Sequence, residues 1–246
     1  MEKSFSSLLL GGLLLAVGTA HAAETAHWTY SGEKGPEHWA TLTPEFSACN
    51  GKNQSPINLT EFIEADLPSI EFSYQAGGNV ILNNGHTVQV NYADGSSISI
   101  DGIQFVLKQF HFHAPSENHI NGKSYPMEAH LVHADASGNL TVVALMFEEG
   151  KENKALAKLW PFMPESEGKQ NALPDPFDVK DLLPSECDYY RFDGSLTTPP
   201  CTEGVRWLVL KTPVSLSKEQ IAAFSKVMHH PNNRPVQPVY ARTVLQ

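Results

Sequence analysis

From Phe105 to His113 the chain reads Phe-Val-Leu-Lys-Gln-Phe-His-Phe-His, and its last five positions alternate polar and aromatic. The aromatic and branched content marks a β-strand, in which successive side chains point to opposite faces. His111 and His113 therefore project together, with Gln109 beside them, while Phe110 and Phe112 project the other way. That alternation commits the chain to a sheet with two chemically different faces. A second run, 127–133, follows a loop marked by Pro115, Asn121-Gly122 and Pro126. It can return antiparallel and bring one further histidine beside the first two.

The rest of the chain fits a sheet. Residues 70–74, 80–83, 87–92, 97–100, 141–147, 189–192 and 205–210 read as strands. Asn83-Asn84-Gly85, Asp94-Gly95 and Gly138-Asn139 supply turns between them. Helical periodicity is confined to 152–160 and 217–228. In the second segment Ser217 and Gln220 stand at capping-box positions, and Ile221, Phe224, Val227 and Met228 form one apolar face. Residues 23–60 are loop-rich, with Trp28, Tyr30 and Trp39 as large anchors, and 231–238 is extended. The fold class expected is mainly β, α+β only through minor helices: a single domain around a large, mostly antiparallel twisted sheet with short peripheral helices.

At the start of the chain, Lys3 precedes an apolar run from Leu8 to Val17, and Ala20-His21-Ala22 is a small-x-small cleavage site. Residues 1–22 are expected to be a cleaved secretory signal peptide, leaving an exported mature domain, 23–246. No later stretch is long and apolar enough for membrane insertion. The formal net charge is −10. Without Lys/Arg clusters, that balance argues against nucleic acid and anionic membranes as partners. Export makes a disulfide plausible, and Cys49, Cys187 and Cys201 allow any of three pairings.

Three neutral imidazoles from two neighbouring strands leave one tetrahedral position open, as in a catalytic zinc site. His130 and His133 compete for the third place. By the two-residue period His133 faces away from His130 and reads as a structural histidine. Gln109 and Glu128 each precede a candidate ligand by two residues on the same face, where they can accept the free ring N–H. Glu117 follows the second histidine closely and reads as surface decoration or a buried acceptor. In Ser195-Leu-Thr-Thr-Pro-Pro200 the prolines stiffen a non-helical loop. A rigid hydroxyl there can accept from a metal-bound hydroxide while donating to a carboxylate. His38, His229 and His230 fall in loops and carry no catalytic role in this reading; His119 is left without one.

Gly35-Pro-Glu-His-Trp39, Gln54-Ser-Pro-Ile-Asn58, Asn83-Asn-Gly-His86, His111-x-His113, Glu128-x-His130 and Ser195-Leu-Thr-Thr-Pro-Pro200 occur in that order. With them the chain resembles the α-class carbonic anhydrases over nearly all of its mature length, and its exported, acidic character resembles the bacterial periplasmic branch. The resemblance implies one Zn2+ per chain held by His111, His113 and His130, with Gln109 and Glu128 as acceptors behind the first and third. It implies that Thr197 orients the zinc-bound hydroxide while donating to Glu117, that His86 shuttles protons, and that Tyr30 belongs to the solvent network. Val132, Val143, Leu196 and Trp207 fall in the apolar carbon dioxide pocket, bordered by Thr198. Cys49 and Cys201 take the position of the family's disulfide, leaving Cys187 over. The activity implied is reversible hydration of carbon dioxide to bicarbonate and a proton by zinc-bound hydroxide, with esterase side activity, in the periplasm or secreted, by a monomer or homodimer. A rival reading as a non-catalytic binding module predicts a lost ligand histidine, whereas all three are present. A dedicated zinc esterase would differ in its ratio of ester hydrolysis to carbon dioxide hydration.

Overall fold

In the computed structural model, which describes residues 27–246, the alternating His/Phe segment is an interior strand of an 11-stranded sheet. The expected signal peptide therefore lies outside the described residues. With strands numbered along the chain, the main path runs β10 (Lys169–Phe177), β3 (Gly78–Asn83), β4 (Val88–Tyr92), β6 (Ile103–His113), β8 (Met127–Ala134), β9 (Leu140–Glu149), β12 (Glu203–Leu210), β11 (Tyr189–Ser195). Off this path, β2 (Glu71–Ser73) pairs with β5 (Ser97–Ile100), β5 pairs with β6, and β13 (Val214–Leu216) pairs with β9. A separate pair joins β1 (Asn58–Leu59) to β7 (His119–Ile120).

Within the large sheet the pairings are antiparallel except where β12 and β13 run parallel to β9. Parallel neighbours need a long crossover, and the chain from Gly150 to Glu203 provides it. Strand β10 was not expected from the sequence, because Pro174 and Pro176 argue against a strand. It is tolerated because β10 lies at the sheet edge, where its register with β3 breaks between Ala172 and Phe177.

Helix α1 (Trp39–Leu42) is a single turn. Helix α2 (Lys154–Leu159) starts where the Asn153 side chain accepts from the backbone N–H groups of Ala155 and Leu156. It tightens into a 3-10 turn, Trp160–Phe162, that contains Pro161. Helix α3 (Lys218–Met228) begins at the Ser217/Gln220 capping box and ends at His229, whose φ of 63° is left-handed.

The two faces of the sheet differ as the alternation requires. Phe110 and Phe112 enter a core with Leu131, Leu145 and Phe147, closed by Leu156 and Trp160 and by Phe224 of α3. Phe112 meets the Trp160 ring edge-on at 4.9 Å. On the opposite face Val142, Ala144, Met146, Phe192, Trp207 and Val209 form a second core beside the histidines. Trp28 and Trp39 pack with the Cys49–Cys201 disulfide in a third. Cys187 is free and half-buried.

Candidate metal centre

The antiparallel register of β6 and β8 sets His111 opposite His130 and His113 opposite Glu128. Because His111 and His113 are two residues apart on one strand, all three rings face the same side. Their ring centroids are 5.1, 4.6 and 5.3 Å apart pairwise, and one nitrogen from each lies within 4.8 Å of the others.

The outer nitrogens are all engaged by acceptors. His111 Nδ1 lies 2.8 Å from Gln109 Oε1, His113 Nδ1 2.7 Å from the Asn232 carbonyl, and His130 Nε2 2.9 Å from Glu128 Oε1. An acceptor behind a neutral imidazole requires the N–H on that side, so each inner nitrogen presents a lone pair. His113 Nε2 is buried without a hydrogen-bond partner among the described residues. Burial lowers the pKa of all three rings, and neighbouring imidazoles lower those of His111 and His130 further. They are therefore neutral, the form a metal ion takes. Three converging lone pairs with no donor between them among the described residues fit a zinc ion.

Glu128 is held rigidly from behind. Its Oε2 accepts from the backbone N–H groups of Glu117 and Asn118 at 2.7 and 2.8 Å, and its Oε1 from Asn118 Nδ2 at 2.8 Å. Glu117 is fully buried, and its Oε1 accepts from the Arg234 N–H at 2.8 Å. Its Oε2 has no hydrogen-bond partner among the described residues and lies 3.5 Å from His113 Nε2 and 3.9 Å from His130 Nδ1. Burial pushes this carboxyl up to about 8, against the opposing pull of the Arg234 N–H and the Thr197 hydroxyl. The Thr197 contact does not meet hydrogen-bond geometry, so it is looser than the sequence expectation requires. Thr197 itself is buried, and the Thr198 carbonyl accepts from the Cys201 N–H at 2.8 Å, which ties the threonine loop to the disulfide.

His86 sits on a tight loop. Gly85 takes a φ of +85°, a left-handed conformation that suits glycine. Asn83 Oδ1 accepts from the Gly85 N–H, and Asn84 Oδ1 from those of His86 and Thr87. The His86 ring stacks on Trp28 at 3.7 Å and 9°. Burial, then the nearby His27, lowers its pKa. The Tyr30 ring is 6.4 Å from His86, and its buried hydroxyl has no partner among the described residues.

Of the apolar residues, Val132, Leu196 and Trp207 gather in the core beside the histidines, and Trp207 meets His130 edge-on at 4.8 Å. Val143 does not join them. It stands between Leu131 and Leu208 in the core on the far face of the sheet. The β9 residue on the histidine face is Val142, paired with both Val132 and Trp207, because adjacent strand residues point to opposite faces. His133 is likewise turned away, between Tyr74 and Thr141.

Sequence reasoning missed Asn232 behind His113, Asn118 behind Glu128, and Trp28 under His86. The first two sit in irregular segments without periodicity, and Trp28 read only as a packing anchor.

A family profile described as "Eukaryotic-type carbonic anhydrase" matches residues 34–246. A protein of Pectobacterium atrosepticum named carbonic anhydrase is 48% identical over 246 residues, covering 100% of both chains. One of Klebsiella pneumoniae with the same name is 50% identical over 249 residues, again covering 100% of both. The solved complex of the α-carbonic anhydrase from Thermovibrio ammonificans with the inhibitor sulfanilamide matches with a TM-score of 0.89 at 51% identity, covering 91% of this chain and 100% of that one.

Proposed function

This chain belongs to the eukaryotic-type carbonic anhydrase family, and from that premise we propose that it hydrates carbon dioxide reversibly at a zinc ion held by His111, His113 and His130. The supporting observation is the set of three inward ring nitrogens, each backed by an acceptor on the opposite nitrogen. A zinc ion held by these three histidines would lower the pKa of a bound water to about 7 and so would supply a nucleophile at neutral pH.

The chain's own residues do the rest. Gln109, the Asn232 carbonyl and Glu128 hold the ring N–H groups and so aim the lone pairs. Thr197, donating toward Glu117, presents only lone pairs to the site. It can then accept from the nucleophile and turn it toward carbon. That role needs Glu117 ionised, and a divalent cation nearby favours the carboxylate over the acid that burial alone would give. Val132, Val142, Leu196 and Trp207 offer an apolar wall to uncharged carbon dioxide and little to bicarbonate. His86 takes the proton released in forming the nucleophile and passes it to buffer. A lowered pKa speeds its release at neutral pH.

We assign residues 1–22 to a cleaved signal peptide and the working enzyme to the periplasm. The Cys49–Cys201 bridge suits an oxidising compartment. No described helix is long and apolar enough to cross a membrane.

His130→Ala should remove most zinc, read by metal stoichiometry, and nearly all hydration. A zinc-loaded, fully active variant would sink the ligand assignment.

A further inference from the structure

Asn232 is fully buried, and each of its polar groups is engaged. Its carbonyl accepts from His113 Nδ1 at 2.7 Å, and its N–H donates to the Ala114 carbonyl at 3.3 Å. Its side chain makes three further bonds. Oδ1 accepts from the Ala114 N–H at 2.9 Å, while Nδ2 donates to the Phe112 carbonyl at 2.9 Å and to the His86 carbonyl at 3.0 Å. One residue thus bonds three consecutive residues at the end of β6, His113 among them, and also the loop that carries His86.

The ends of that loop are held elsewhere, where the Gly168 N–H donates to the Asn83 carbonyl at 2.8 Å and Asn83 Nδ2 to the Pro164 carbonyl at 3.2 Å, but at His86 itself the bond from outside the loop comes from Asn232. Asn83 and Asn84 close it on itself, and Thr87 Oγ1 donates to the same Phe112 carbonyl at 2.5 Å. The His86 ring rests on Trp28, but a ring can keep its stack while the backbone beneath it shifts. Proton transfer depends steeply on the separation of donor and acceptor. A tie from the metal-ligand strand to the His86 backbone fixes that separation.

We propose that the Asn232 side chain is a positioning residue for proton transfer, holding the His86 loop at a set distance from the His113 end of the metal site. The inference rests on His86 being the proton shuttle. Asn232 touches no substrate and acts only through the residues it bonds. Its side-chain amide is well suited to this, because it donates twice and accepts once from a position where no water is needed to complete the network.

The test is Asn232→Ala, which keeps the carbonyl that His113 uses and removes the tie to His86. Hydration is measured by stopped flow on zinc-loaded protein in weak and in imidazole buffer, beside His86→Ala and the double variant. In weak buffer kcat should fall about tenfold more than kcat/KM, and imidazole should restore the excess. In the His86→Ala background that excess should vanish. The backbone amide shifts of His86 and Thr87 in NMR should also move. Equal losses of kcat and kcat/KM, or a weak-buffer loss that adds to that of His86→Ala, would overturn the inference. If His86→Ala itself shows no buffer-dependent loss, the shuttle reading falls and this inference with it. If Asn232→Ala does not fold, Asn232→Ser gives the same contrast with a smaller void.

Discussion

Acid should destabilise the fold through His133. Its ring is fully buried, with Nε2 2.8 Å from the Tyr74 hydroxyl and Nδ1 3.3 Å from the Thr141 carbonyl. The neutral ring satisfies both, since Nδ1–H donates to the carbonyl and Nε2 accepts from the hydroxyl. Burial lowers its pKa to about 4. In the unfolded chain the same ring titrates near 6.5. Between those values the unfolded state binds more protons, so stability rises with pH and is lost as pH falls. It is fully present above about 6.5, and at about 1.4 kcal/mol per pH unit the whole window amounts to about 3 kcal/mol. His133→Phe keeps the ring shape and removes the titration; its loss of the Tyr74 partner costs about the same at every pH in this range. Urea unfolding of chelator-treated protein, stepped from neutral pH toward 4, keeps metal release out of the comparison. The wild-type protein should lose about 3 kcal/mol more than the variant. Parallel stability curves would refute the assignment of His133 as a buried neutral histidine.

The Cys49–Cys201 bridge spans 152 residues of sequence, so Cys49→Ser/Cys201→Ser should cost up to about 5 kcal/mol in denaturant unfolding, by the loop-entropy relation. A loss below about 1 kcal/mol would mean that the bridge adds little to this fold. N-terminal sequencing of the exported protein should begin at Ala23; a chain still starting at Met1 would remove the signal-peptide assignment.

What the sequence made legible was set by periodicity. The Phe/His alternation at 109–113 gave both the strand and its two faces, and Ser217 with Gln220 marked the start of α3. Strand β9 is buried on both faces, so Thr-Val-Val-Ala-Leu-Met-Phe carries no alternation to show that Val142, not Val143, shares the face of the histidines. Strand β10 hid behind Pro174 and Pro176, which an edge position tolerates. Asn232 was illegible for a different reason: its contact with His113 is made by a backbone carbonyl, which any residue possesses, in a tail without secondary structure. The Cys49–Cys201 pairing came from family resemblance and is present in the structure, where the two cysteines sit beside Trp28 and Trp39.

Hydration by this protein should depend on metal held by the three histidines. The direct test is stopped-flow carbon dioxide hydration by the purified mature protein, before zinc removal with a chelator, after it, and again once zinc is restored. Fast hydration should disappear with the metal and return with one equivalent per chain. Undiminished hydration by the metal-free protein, or none by protein carrying one zinc, would contradict the account.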